Sequence, residues 1–91
     1  MPDPLHRGDL RLSIPADATF YGVARDVTVR FAEYVGAAAG KAAQLGEAVE
    51  RLASRMTGRN IEFRLEPRGG VLTVRVRSGS TSEEATCPLP D

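Results

Sequence analysis

Apolar and polar residues alternate along three stretches of the chain, 9–14, 61–66 and 72–77. Alternation of this kind is typical of strands with one buried and one solvated face. The apolar members, which we assign to the buried face, are Leu10, Leu12, Ile14, Ile61, Phe63, Leu65, Leu72, Val74 and Val76. Residues 67–70 (PRGG) separate the second stretch from the third, and this composition predicts the turn of a hairpin.

Apolar residues recur at helical spacing in two segments between the first and second strands. We predict a first helix that Asp17 caps and Gly36 ends. After a short hinge at 37–40, a second helix runs to about Thr57. The apolar stripes are Phe20, Val23, Ala24, Val27, Phe31, Tyr34 and Val35 in the first helix, and Leu45, Ala48, Val49, Leu52 and Met56 in the second. Val29 lies alone on the otherwise polar side of the first helix.

The predicted order is β-α-α-β-β. It corresponds to an α/β (α+β) two-layer sandwich in which two helices cover one face of a three-stranded sheet. We assign residues 9–77 to this single domain. Residues 1–8 are expected to form a flexible N-terminal segment and residues 78–91 a flexible acidic C-terminal tail, because neither segment has a hydrophobic period.

The hairpin prediction implies a register. If residues 67–70 form the whole loop, Phe63 faces Val74 on the buried side. Glu62 then faces Arg75 on the solvated side, and this cross-strand ion pair is worth at most about 1 kcal/mol.

The solvated side of the predicted sheet is rich in charge. It carries Arg11, Ser13, Glu62, Arg64, Glu66, Thr73, Arg75 and Arg77. Sheets that bind single-stranded nucleic acid present aromatic side chains on which bases stack. This face has none, since Phe63 points to the core, and cross-strand ion pairs in solvent are the simpler interpretation. Binding of nucleic acid stays as the alternative.

Composition narrows the class of protein. A chain of 91 residues is one small domain, too short for separate cofactor and substrate lobes. Cys87 is its one cysteine, so an internal disulfide is excluded, and we expect an exposed thiol in the tail. No apolar run approaches the roughly 20 residues of a membrane span, and the first residues lack the apolar stretch of a signal peptide. We expect a soluble, cytoplasmic protein.

Charge is unevenly distributed although 12 basic and 12 acidic side chains balance. Residues 51–77 hold seven arginines against two glutamates, a net charge of +5. Such a segment is either part of a solvated mixed-charge surface or a basic face that meets an acidic partner. Arginine suits interfaces, because its planar fork binds carboxylates and phosphates through two hydrogen bonds.

Three segments carry a family resemblance: LRLSIPAD (10–17), AAQLGEAVERLASRM (42–56) and IEFRLEPRGGVLTVRVRSG (61–79). Their order and hydrophobic register resemble the histidine-kinase-like ATPase superfamily, and in particular the small anti-sigma-factor serine kinases of bacterial partner-switching systems. That family binds ATP through a glutamate and, four residues on, a magnesium-binding asparagine of the second helix. A second box, an aspartate followed by spaced glycines, comes after the last strand.

The chain departs from both boxes. An ungapped match puts Arg51 and Arg55 where the glutamate and asparagine belong, and a shift of one residue offers Glu50 with Ser54. The second box is reduced to Gly79 within 78–82. Mg²⁺ requires oxygen ligands, and two guanidinium groups would repel it. We therefore expect no ATP-dependent activity, no catalytic residue, no metal and no cofactor.

The resemblance without the boxes implies a non-catalytic regulatory module that binds other proteins in bacterial signalling or transcription control. Its partner would be a sigma factor, an anti-sigma antagonist or a related regulator. The alternative is a nucleic-acid-binding accessory domain that uses the arginine-rich region 51–77. The candidate partner-binding residues are Arg51, Arg55, Arg75, Arg77 and Val29. For the first of these, a surface ion pair between Glu47 and Arg51, one helical turn apart, is the simpler interpretation.

Self-association is also expected. A three-stranded sheet leaves its last strand, 71–77, open on one edge, and open edges invite pairing. We predict a homodimer or a heteromeric complex that uses this strand or the first helix.

Overall fold

The described part of the chain folds into a four-stranded antiparallel sheet with two helices on one face. The computed structural model describes residues 9–90. Its elements are β1 (Leu10–Pro15), α1 (Ala18–Tyr34), α2 (Ala39–Ser54), β2 (Asn60–Arg68), β3 (Val71–Ser78) and β4 (Thr81–Pro88), and the strand order in the sheet is β1-β2-β3-β4. The predicted α+β class with helices in one layer is confirmed. The flexible segment predicted at 1–8 lies outside the described residues.

The fourth strand corrects the sequence prediction of three strands followed by a flexible tail. Gly79 has φ +59° and begins a two-residue turn with Ser80, so that Ser78 pairs with Thr81. Glycine at the first central position is the requirement of a type II′ hairpin turn. Because β3 offers a free row of backbone donors and acceptors, residues 81–88 pair with it as β4.

The weak apolar signal of β4 explains why it escaped prediction. Of the residues that β4 turns towards the helices, Ala85 and Cys87 are apolar, whereas Thr81 and Glu83 are polar. A contact with α2 helps to attach β4 to the helix layer, where it has few apolar side chains to bury. Arg55 at the end of α2 forms an ion pair with Glu83, Nη2 to Oε1 at 3.5 Å.

The register of the β2–β3 hairpin differs by two residues from the prediction. Phe63 faces Val76, and Glu62 faces Arg77 instead of Arg75. The turn contains only Gly69 and Gly70, at φ +60° and +80°, where the prediction had a four-residue loop. Positive φ at both central positions is the signature of a type I′ turn.

A shift of two residues leaves every side chain on its predicted face, because side chains alternate with a period of two. The apolar residues of β2 and β3 assigned to the buried face are accordingly buried. Among residues 9–90, the largest apolar side chains that are less than 2% exposed are Phe63, Ile61, Leu65, Leu72, Val49, Val74 and Val76. Burial of each is worth about 1.5–3 kcal/mol, and all of them except Val49 of α2 belong to the predicted apolar alternation.

The ends of α1 form as predicted. The Asp17 side chain accepts a hydrogen bond from the Thr19 backbone N–H at 2.9 Å. At the other end Gly36, with φ +109°, donates its N–H to the Glu33 carbonyl, and the Ala37 N–H reaches the Ala32 carbonyl at 2.9 Å. This pair of bonds is the Schellman arrangement, which needs a residue that tolerates positive φ.

The buried line of α1 is narrower than predicted and is made of small residues. Ala24, Thr28 and Ala32 are buried, whereas Phe20 and Tyr34 of the predicted stripe are exposed. Small side chains let α1 approach α2 closely, and the large apolar residues are left at one side of the contact.

The prediction that Val29 lies on the polar side of α1 is also wrong. It is half-buried and packs against the core at the contact between the helices, opposite Gly46 of α2. A Cβ atom at position 46 would lie 2.5 Å from Val29 Cγ2 and 3.0 Å from Arg25 Cγ. Glycine is required there because the β-branched valine has little freedom to move away.

We predict that Gly46→Ala lowers the free energy of unfolding by about 1–3 kcal/mol, the usual cost of overpacking, despite the better helix propensity of alanine. Urea unfolding followed by circular dichroism measures this. The matched control is Gly22→Ala in α1, where nothing lies within 4 Å of the added Cβ. The control should gain up to about 1 kcal/mol. A Gly46→Ala variant as stable as the parent chain would contradict the close contact.

Candidate functional site

The five candidate residues from the sequence lie on three separate parts of the molecule. Arg51 and Arg55 lie on the solvent side of α2 or at its end. Arg75 and Arg77 project from β3 on the sheet face away from the helices. Val29 lies at the helix contact described above. The structure thus brings together only the β3 pair, and the arginines of 51–77 form no single patch.

Arg51 and Arg55 differ in their contacts. Arg55 reaches β4 through Glu83. Arg51 has no ion pair within 4 Å among residues 9–90, so the predicted pair with Glu47 is not formed. Its backbone carbonyl accepts a hydrogen bond from Ser54 Oγ at 2.7 Å, and the residue is exposed.

The sheet face away from the helices, here called the open face, carries a row of three arginines. Arg11 of β1 lies directly opposite Arg64 of β2, and Arg64 lies directly opposite Arg75 of β3. The row continues on β4 with Glu84. Neighbouring strands are about 5 Å apart, so this arginine row spans about 10 Å across the sheet.

Two arginines of the row, Arg64 and Arg75, form ion pairs with neighbouring carboxylates. Arg64 contacts Asp9 at 3.0 Å, through Nη2, and Glu66 at 3.1 Å, through Nε. Arg75 contacts Glu84 through Nε at 3.0 Å. Each pair is partly exposed and is worth about 0.2–1 kcal/mol.

Two further contacts complete the open face. Arg77 contacts Glu62 at 2.7 Å, in place of the predicted pair between Glu62 and Arg75. Arg11 has no ion pair within 4 Å in the described range 9–90.

A shallow concavity of about 400 Å³ lies over the arginine row. Its lining includes all three arginines of the row together with Arg77, Ser13 and Glu62. Four guanidinium groups against one carboxylate give the lining a local charge of +3 (four minus one). This excess arises although the open face as a whole is balanced by acids outside the concavity.

The second distinctive surface is an apolar side of α1, which we call the α1 flank. It consists of Phe20, Val23, Val27, Phe31 and Tyr34. Three of them are exposed, Phe20 by 37%, Val23 by 46% and Tyr34 by 79%, and the other two are half-buried. The rings of Phe31 and Tyr34 pack at 6.3 Å between centroids.

The α1 flank lies on the β1 side of the molecule. Arg25 and Val29 turn towards α2, where Arg25 Nη1 contacts Glu50 Oε1 at 3.4 Å. The α1 flank is on the opposite side of the same helix, and α1 meets the sheet chiefly at β1. Within residues 9–90, β1 has a strand partner on one side only. The edge of β1 that has no strand partner in this range and the α1 flank therefore lie on the same side of the molecule.

The last strand of the prediction, 71–77, is not an edge. As β3 it pairs with β2 on one side and with β4 on the other. The prediction that this strand edge receives a partner is therefore wrong, since residues of this chain occupy it.

Two residues assigned to the tail are buried instead. Ser78 donates a hydrogen bond from Oγ to the Asn60 carbonyl at 2.8 Å, next to Gly58, where a Cβ would collide with it. Cys87 is 2% exposed and faces the helices. Burial raises the pKa of the Cys87 thiol, and the charge of Lys41 opposes this in part.

Neither helix is both long and apolar enough to cross a bilayer, within the part of the chain that the structure describes. In the same part, no three His, Cys, Asp or Glu side chains are grouped so that they could hold a metal ion. The sequence matches no protein-family model and no curated protein. The resemblance to anti-sigma-factor kinases therefore stays a hypothesis.

We predict that Cys87 reacts slowly with a thiol reagent in the folded protein. The thiolate is the reactive form, and burial limits both its fraction and its access, so labelling at pH 8 should be more than about tenfold slower than in urea. The matched control combines Cys87→Ala with Thr86→Cys, which moves the thiol to the exposed neighbouring position of β4.

The control should react at once, and equal rates for the two thiols would contradict a buried Cys87. The raised pKa has a second consequence. The unfolded chain releases the thiol proton first, so stability should fall as pH rises past about 8.5. Cys87→Ala should not show this fall.

Proposed function

We propose that the chain is a non-catalytic regulatory module that acts by binding proteins through the α1 flank and the free edge of β1. The exposure of Phe20, Val23 and Tyr34 on one side of one helix carries this proposal. Isolated apolar residues on a surface are ordinary, but a contiguous group that includes aromatic rings is typical of an interface. A partner that covers this group gains about 25 cal/mol for each Å² of apolar surface removed from water.

A second copy of this chain is the partner that the geometry favours. Within residues 9–90, the outer edge of β1 offers backbone N–H and C=O groups that no strand pairs, and such an edge pairs readily with an equivalent strand. Antiparallel pairing of β1 with its copy about a two-fold axis would join four strands from each chain into one sheet. The same axis would bring the two α1 flanks together on the helix side of the seam, because both lie beside β1.

The regulatory part of the proposal rests on the resemblance to anti-sigma-factor kinases. Arg51 and Arg55 occupy the positions of its metal-binding box, and guanidinium groups do not bind Mg²⁺. Arg51 is exposed and without an ion pair among residues 9–90, so it is the candidate contact for an acidic partner on the helix layer. A sigma factor or an anti-sigma antagonist is the partner class that the resemblance implies.

The nucleic-acid alternative has less support. It required one basic surface from residues 51–77, and these arginines are divided between the helix layer, the β2–β3 turn and the open face. The open face also lacks aromatic side chains within the described residues, since Phe63 is buried.

We predict a homodimer of about twice 9.8 kDa in light scattering, and we predict that Tyr34→Asp and Val23→Asp convert it to a monomer. A charge placed in an apolar contact must be desolvated, which costs several kcal/mol. The matched control is Ala43→Asp, which adds the same charge at an exposed position of α2. The control should remain dimeric.

A mass of 9.8 kDa at the highest attainable concentration would reject the homodimer. Dimers that survive both substitutions would reject the α1 flank as the dimer interface. The regulatory proposal has its own test. The parent chain should co-purify with a sigma factor or its antagonist from the source organism, and ATP hydrolysis should be at background. Turnover of ATP would overturn the non-catalytic assignment.

A further inference from the structure

The open face contains a second candidate binding site, which is independent of the α1 flank. We propose that the concavity over the arginine row binds a phosphate monoester as its dianion, with Arg11, Arg64 and Arg75 as the binding residues. Ser13, which also lines the concavity, supplies a hydroxyl donor. The phosphoryl group belongs to a small phosphorylated molecule or to a phosphoserine side chain, and the chemistry of recognition is the same for both.

The arrangement of the row is the first reason. Like charges directly opposite each other on neighbouring strands are destabilising. Here two such juxtapositions follow one another, Arg11 with Arg64 and Arg64 with Arg75. A dianion above the central arginine would attract all three guanidinium groups and so offset both repulsions.

Unused hydrogen-bonding capacity is the second reason. Each guanidinium has five N–H donors. Arg75 meets its carboxylate through Nε, and Arg11 has no ion pair with any of residues 9–90. The existing surface pairs are weak, so a phosphoryl group that accepts several charge-assisted bonds can compete with them.

The third reason concerns the shape of the ligand. Carboxylates border the row on several sides: Glu84 at its β4 end, and Asp9, Glu62 and Glu66 in the neighbouring positions of the open face. A long polyanion that crosses the sheet would pass over several of these carboxylates, whereas one compact dianion would meet only Glu62, which Arg77 already pairs. The absence of aromatic side chains on the described open face also disfavours stacked bases. A single phosphoryl group therefore fits better than a nucleic-acid strand.

The test is a titration of the ¹⁵N-labelled chain at low ionic strength with three probes: inorganic phosphate, O-phosphoserine, and a short phosphoserine peptide with its unphosphorylated twin. We expect the amide signals of β1, β2 and β3 at the row to shift with a saturable dependence on each phosphorylated probe. Equal affinities for phosphate and the phosphopeptide would identify a small-molecule site. Tighter binding of the phosphopeptide than of phosphate would identify a phosphoprotein.

Arg11→Ala is the decisive variant, because in the described part of the chain this side chain has no ion pair to lose. It should weaken phosphate binding about tenfold, as expected for the loss of a charge-assisted hydrogen-bonding partner. Arg11→Lys should recover only part of the affinity, since lysine lacks the planar fork. The matched control Arg30→Ala removes the same charge from an exposed position of α1 and should leave the affinity unchanged.

Four results would overturn the proposal: no saturable shifts with any probe, shifts away from the row, equal weakening by Arg11→Ala and Arg30→Ala, or, in a parallel titration with a single-stranded RNA 12-mer, binding of the RNA without binding of phosphate. The last result would favour a nucleic-acid surface. Tyr34→Asp should still bind phosphate, so failure of the dimer and failure of the anion site are distinguishable.

Discussion

The conformation of Gly69 and Gly70 is the constraint on which the sheet depends. Both residues have positive φ, which closes the β2–β3 hairpin with two residues. The short turn extends β2 through Pro67 and β3 to Ser78. Because β3 ends there, Gly79 is positioned to make the next turn, and β4 follows. The turn at Gly69 and Gly70 thus determines the register of the hairpin, and Gly79 makes the separate turn from which β4 starts.

The same turn decides which charges meet. With a four-residue loop, Arg64 would face Thr73 and Arg75 would face Glu62. With the two-residue turn, Arg64 faces Arg75, and Arg77 takes Glu62. The arginine row exists only in the second register. The open face is consequently more than a random mixture of charges, since repulsive juxtapositions at its centre are balanced by carboxylates at its periphery.

A different constraint acts in the helix layer. Gly46 and the small residues of the buried line of α1 allow the two helices to approach closely. The larger apolar residues of α1 then lie beyond the contact, beside the edge of β1. The molecule therefore has two separate surfaces with different chemistry. One is the α1 flank beside the edge of β1, and the other is the basic concavity on the opposite face of the sheet. Because they are separate, each can be altered without changing the other.

The local pattern of the sequence by itself determined both helices, the capping of α1, three strands and the face on which each strand residue lies. Periodicity and turn chemistry act over a few residues and need no tertiary information. Only the tertiary structure decided the rest. β4 has too few apolar residues to be recognised alone, and forms because β3 offers it a backbone partner. The placement of Val29 depends on where α2 packs. The two-residue turn at Gly69 and Gly70 places Arg64 opposite Arg75, but Arg11 joins the row only through the register between β1 and β2, two strands that are distant in sequence.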